Sequence, residues 1–125
     1  MRSMFGGCSS SLLDVSSFKT SKVQNMSLIF KSCKLCELDV SGFDTSKVIT
    51  FKEMFKRCHC PMIDVSSFDT SNVTEMNCMF VECDVQRLDC SSFVFRGNDL
   101  TSIFLKASIQ TLLLPSCSLL TEFHD

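Results

Sequence analysis

Tryptophan and tyrosine are absent from this 125-residue sequence, and histidine occurs only at His59 and His124. General acid–base and metal chemistry therefore have few candidate side chains. An excess of one charge is missing too. A formal net charge of −2 gives no electrostatic reason to expect a phosphate backbone or an anionic membrane as partner. No apolar run approaches the length of a membrane-spanning helix, and Met1 to Cys8 places one arginine ahead of too few apolar residues for a signal-peptide core. The chain reads as soluble, with any secretion signal lying outside this sequence. What is present, 45% hydrophobic and 21% charged residues, fits one small domain with a core rather than a disordered tail.

Self-comparison shows a tandem repeat of 25 residues. Phe5, Phe30, Phe55 and Phe80 keep the period, as do Cys8, Cys33, Cys58 and Cys83. Asp14, Asp39, Asp64 and Asp89 are in phase, and so are Phe18, Phe43, Phe68 and Phe93. Within a unit, Leu35-x-x-Leu38-Asp39-Val40 alternates like a half-buried strand. Asp44-Thr45-Ser46 then marks a corner, because such side chains hydrogen-bond nearby backbone. Val48, Phe51, Met54, Phe55 and Cys58 follow at spacings of three and four, with Thr50 and Glu53 at capping-box spacing, which predicts two short helical turns.

One such unit cannot bury its own apolar face, so the predicted fold is α/β: a leucine-rich-repeat-like solenoid. Parallel strands form one wall and short helices the other. Residues 1–125 read as one solenoid domain, with strand-helix repeats over 1–95. Over 96–125, Leu100-x-x-Ile103-x-Leu105, Ile109-x-x-Leu112-x-Leu114 and Leu120-x-x-Phe123 read as strand-rich terminal coils, too close together for an intervening helix.

The string from Ile63 to Cys83, with its Asp64-Val65-Ser66, Phe68-Asp69-Thr70-Ser71 and Met79-Phe80, resembles the BspA-like leucine-rich repeat surface proteins, whose repeat is catalogued as DUF285. The likeness spans roughly residues 4–95. It implies a non-catalytic module for protein recognition or adhesion at a cell surface or outside the cell, with a host or extracellular protein as ligand. The sequence departs from that pattern where Lys19 replaces the usual Asp, where Gln24 replaces Thr, and at Val94-Phe95-Arg96. The alternative is an intracellular, cytoplasmic scaffold or effector with the same fold; a more remote one is a zinc or redox protein.

Nine cysteines, an odd number, admit a disulfide framework with one thiol left over, but the four in phase read better as a reduced ladder of small packed side chains. Cys33, Cys36, Cys58 and Cys60, with His59 between the second pair, have the number of ligands for a zinc site. Packing already accounts for Cys33 and Cys58, so no metal and no cofactor is assigned.

The four in-phase aspartates form an outward column, and Ser16, Ser41, Ser66 and Ser91 are placed to hydrogen-bond them. Calcium is a lesser option, since its oxygen ligands usually come from a dedicated loop. A regular column also supplies no differentiated acid and base for glycoside chemistry. The corner pairs Thr20-Ser21, Thr45-Ser46 and Thr70-Ser71 read as structural rather than nucleophilic. Asn25-Met26-Ser27 and Asn72-Val73-Thr74 match the N-glycosylation pattern, a common chance match.

No catalytic residue is assigned. Between the apolar anchors of each strand, Ser11 and Leu12, Cys36 and Glu37, Pro61 and Met62, then Gln86 and Arg87, vary from unit to unit. The expected partner-binding surface is the sheet face centred on Glu37, Met62 and Arg87, with Asp14, Asp39, Asp64 and Asp89 as its acidic floor.

Overall fold

The structure, a computed structural model, describes residues 2–95 and 98–115. Five short parallel strands and one turn of helix follow in the order β1 (Ser9–Leu13), β2 (Lys34–Leu38), β3 (Met62–Asp64), β4 (Asp84–Asp89), α1 (Leu100–Ile103) and β5 (Ser108–Leu113). They form a two-stranded sheet, β1-β2, and a three-stranded sheet, β3-β4-β5. Ser9 pairs with Lys34 and Met62 with Arg87, so the register advances by the same 25 residues that separate equivalent sequence positions. Bridges Lys34 to His59 and His59 to Asp84 carry that register across the junction of the sheets. Between β4 and β5 the advance shortens to 24, as in Asp84 with Ser108.

Proline explains why the ladder divides. The Gln86 N–H donates to the Pro61 carbonyl (2.9 Å). One unit earlier the equivalent donor would be residue 61 itself, facing Cys36. Proline has no N–H to give, so β3 begins only at Met62.

The predicted helical wall requires correction. The residues of the apolar stripe are buried, with Val48, Phe51, Met54, Phe55 and Cys58 all 0% exposed, but the backbone is a series of tight turns. Met54 N–H bonds to Phe51 O, Lys56 N–H to Glu53 O and Cys58 N–H to Phe55 O. Glu53 (φ 55°) and Arg57 (φ 58°) adopt left-handed backbone, as do Leu28, Ser32, Cys78 and Glu82 at the same phases, with Ser3 and Gly7 in the first unit. Each of these interrupts right-handed winding before it completes a helical turn.

Alternate N–H groups point across to the next unit. Leu28 donates to Lys52 O, Phe30 to Met54 O and Ser32 to Lys56 O, and the pattern repeats at Glu53, Phe55 and Arg57. A segment this short makes a marginal helix, whereas crossing bonds satisfy each donor and bring equivalent side chains together. Phe5, Phe30, Phe55, Phe80 and Phe104 stack in one column with centroids 5.4–5.6 Å apart. Glu53 does not complete a capping box with Thr50; the Thr50 hydroxyl accepts from the Lys52 N–H, and Glu53 pairs with Lys31 and Lys56.

The last described unit also departs from expectation. Leu100 to Ile103, read as strand from sequence, is helix α1. Asp99 caps it by accepting from the Thr101 N–H (2.9 Å) and hydroxyl. In the unit before, the Phe80 N–H crosses to Ile103 O, whereas the Phe104 N–H turns back to Leu100 O. The helical turn thus satisfies internally a donor that every earlier unit directs outward. The expected strand at Ile109 to Leu114 is present as β5. The coil expected at Leu120 to Phe123 lies outside the described residues.

Candidate functional site

On the outer face of the sheets, buried and exposed residues alternate as eBeeB in β2 and begin the same way in β4. Leu35, Leu38, Val85 and Leu88 fill the core, which leaves Cys36, Glu37, Gln86 and Arg87 at the surface. Met62 and Arg87 are direct register partners, and Thr111 continues the row on β5. Glu37 pairs on its other side with Leu12 and stands across the sheet junction from Met62. The structure therefore brings Met62 and Arg87 together on adjacent strands. Met62 is 53% exposed, unusual for a large apolar side chain.

The aspartates edge this face at the strand ends. Asp14, Asp39, Asp64 and Asp89 each accept the backbone N–H of the serine two residues on, at 2.9–3.0 Å. The Ser16, Ser66 and Ser91 hydroxyls donate to the same oxygens at 2.6 Å. These bonds, hydroxyl first and backbone second, hold Asp14, Asp39 and Asp89 below the ordinary carboxylate range. For Asp39 the neighbouring Asp14 pushes the other way and is the least of the influences. Local hydrogen bonds thus relieve the repulsion a carboxylate column implies.

A depression that the strand pattern did not single out lies at the start of the strands, where Pro61 interrupts the ladder. It is open, about 700 Å³ in volume, and has Leu35, Cys60 and Pro61 among its apolar lining. Its polar rim includes Lys34, Cys36, His59, Asp84 and Gln86. His59 Nδ1 lies 3.4 Å from Asp84 Oδ2, both side chains well exposed. Ser9, Lys34, His59 and Asp84 occupy one repeat position, 25 residues apart, so their column was readable from the sequence period. The depression was not, because it depends on the strand shortened by Pro61.

The eight cysteines among the described residues are free thiols, and of the in-phase four, Cys33, Cys58 and Cys83 are buried while Cys8 is partly covered. Burial raises the pKa of Cys33, Cys58, Cys60 and Cys90 and pushes Cys83 up to about 12. Among the described residues no three His, Cys, Asp or Glu side chains converge to hold a metal ion. Cys33 and Cys58 sit in the core while Cys36 is exposed, so the four thiols considered for zinc do not face one another.

The corner threonines act between units rather than within a turn. Thr20 Oγ1 accepts from the Asp44 N–H (2.8 Å) and donates to Asp44 O, and Thr45 does the same with Asp69. Of the two glycosylation-pattern asparagines, Asn72 donates its amide to Ser46 O at 2.7 Å, and Asn25 Oδ1 accepts from the Ser27 N–H and hydroxyl.

Compared with known protein families, the chain matches the one described as Mycoplasma protein of unknown function, DUF285, over residues 1–112. No curated protein and no solved structure matches it. Among the described residues no helix is long and apolar enough to cross a membrane.

Proposed function

The chain belongs to the DUF285 family, and from that membership and its repeated units we propose that it is a BspA-like, leucine-rich-repeat-type solenoid acting as a non-catalytic protein-recognition or adhesion module. The carrying observation is the division of labour along the strands. Inward positions repeat and are buried, while the outward positions Glu37, Met62 and Arg87 differ from unit to unit and are exposed. A stack needs repetition, and recognition uses variation presented on a rigid face. Met62 supplies an adaptable apolar contact. Glu37 and Arg87 supply charges of opposite sign, and the hydrogen-bonded aspartates supply an acidic border.

The ligand in this reading is a protein segment, met at a cell surface or in the extracellular space. The free thiols favour a second reading, a scaffold or effector in a reducing cytoplasm. Protease added to intact cells is expected to cleave the chain in the first case and to spare it in the second.

The binding test is a displayed-peptide selection on the purified protein, followed by affinity measurement of an enriched peptide against wild type and Glu37→Lys/Met62→Asp/Arg87→Glu. The triple variant is expected to keep its circular dichroism spectrum and to bind roughly tenfold more weakly or worse, since central interface residues carry most binding energy. Unchanged affinity in a folded variant removes the sheet face as the site.

A further inference from the structure

The near-neutral total charge conceals a sharp separation of charge by face. In the turn wall and corners of the first three units (residues 2–7, 19–32 and 44–57) there are eight Arg and Lys residues against two carboxylates, Asp44 and Glu53. The fourth unit's equivalent stretch, residues 69–82, carries three carboxylates and no Lys or Arg. The strand side, residues 8–18, 33–43, 58–68 and 83–93, carries six carboxylates against Lys34 and Arg87. One wall at one end of the molecule is therefore basic, and the opposite face is acidic.

The basic wall is ordered by the repeat. Lys22 and Lys47 occupy the same position in adjacent units, and so do Lys31 and Lys56. Bonds between successive units, such as Leu28 N–H to Lys52 O and Ser32 N–H to Lys56 O, fix the rows at about the spacing of neighbouring strands, roughly 4.8 Å. Glu53 bridges Lys31 (3.2 Å) and Lys56 (3.5 Å), one carboxylate shared by two ammonium groups. Lys22, Lys47 and Lys52 are exposed and make no ion pair among the described residues. Burial raises the Glu53 pKa, but the hydrogen bond from Lys31 and the charges of Lys56 and Lys31 outweigh it, so the carboxyl stays ionised. Like charges held in rows repel, and a partner carrying regularly spaced anions relieves that repulsion.

We propose that this wall binds a linear anionic polysaccharide, sulfated or carboxylated, through Lys22, Lys47 and Lys52 with Lys31 and Lys56 alongside. The chemistry of the wall selects this class. Single-stranded nucleic acid is held largely by bases stacked on exposed aromatic rings. Among the described residues, none of the exposed large hydrophobic side chains is aromatic. Duplex DNA is read by a helix or ribbon entering a groove, and among the described residues the one helix has four residues. A lipid surface calls for a continuous apolar face beside the basic one, whereas the large apolar residues exposed on this wall are two, Met4 in the first unit and Ile49 between Lys47 and Lys52 in the third. Lysine ammonium groups act as point charges and suit sulfate or carboxylate without demanding a planar partner. The wall lies away from the sheet face, so the proposal is independent of the protein-recognition reading.

The test measures binding of the full chain to a size-defined heparin oligosaccharide over a series of salt concentrations. Wild type is expected to bind, with affinity falling steadily as salt rises. Lys22→Glu/Lys47→Glu/Lys52→Glu is expected to bind roughly tenfold more weakly or worse and to show a shallower salt dependence. Lys34→Glu/Arg87→Glu, which lowers net charge on the sheet face instead, is expected to bind within about twofold of wild type. Should the triple reversal fail to fold, Lys22→Gln/Lys47→Gln/Lys52→Gln gives the same comparison. No wild-type binding at low salt overturns the proposal, and so does equal weakening by both sets of variants. Tighter binding to a single-stranded oligonucleotide or to phosphatidylserine vesicles than to the oligosaccharide also overturns it, in favour of that partner.

Discussion

At the scale of single residues, side chains of one type divide by environment. Cys36 is exposed, while Cys58, Cys83 and Cys90 are buried thiols whose deprotonation is opposed by the apolar surroundings. Their folded pKa values lie above the ordinary thiol value of 9.0, with Cys83 at about 12. The stability this confers is fully present below the unfolded thiol pKa. It is lost as pH rises from there through the folded value, because the unfolded chain ionises first. Urea-denaturation free energy is therefore expected to fall as pH is raised from about 9 towards 12, and the fall is expected to be shallower in Cys83→Val. A slope identical in that variant would show that Cys83 is not protected by burial. The sequence marked Cys58 and Cys83 by phase alone. Strand alternation had already placed Cys36 outward, whereas Cys60, at the repeat position of Leu35 and Val85, is buried with them.

At the scale of elements, strands were readable and the second wall was not. Period-two alternation around Leu35 and Leu38 corresponds to one physical arrangement, a sheet with one face covered. The three-and-four spacing from Val48 to Cys58 corresponds to two: a helix, or stacked turns that bury the same residues. Crossing backbone bonds and left-handed residues such as Glu53 and Arg57 decide for turns, and both depend on the neighbouring unit. The reverse error at Leu100 to Ile103 is local, since the Asp99 cap starts a helical turn where the apolar spacing reads as strand. Here the chain closes its own bonds as helix α1, with Ile103 N–H to Asp99 O and Phe104 N–H to Leu100 O.

Pro61 is the element-scale test. Pro61→Gln, which installs the residue found one unit later, restores a donor facing Cys36. Amide exchange over residues 61–64 is expected to slow, with global stability changing by only about 1 kcal/mol. A new net hydrogen bond of about that size is opposed by the extra freedom of the unfolded chain. Exchange that stays as fast as in wild type would mean that the gap between β2 and β3 has another cause.

At the scale of the whole molecule, cost should depend on position along the stack. Phe55 lies between Phe30 and Phe80 and is 0% exposed. Phe5, at one end of the same column, is half-buried. Phe55→Ala is expected to cost about 3–5 kcal/mol by urea denaturation, the usual loss for a buried aromatic, and Phe5→Ala clearly less. Equal costs would indicate that the units do not share one continuous core. Over the first three units the two walls carry opposite charge, and under the two proposals variants on one are expected to leave the other's binding intact.

The sequence by itself determined the repeat, strands β1 to β5, the core positions of the repeated units, the outward aspartates and the family, because period and residue type are legible in the chain before it folds. Tertiary structure decided the rest: turns instead of helices, the sheet break at Pro61 with the depression beside it, and the charged wall spanning three units. Each is a relation between residues about 25 positions apart. Side chains can meet across that distance only after the backbone has spent its hydrogen bonds between units.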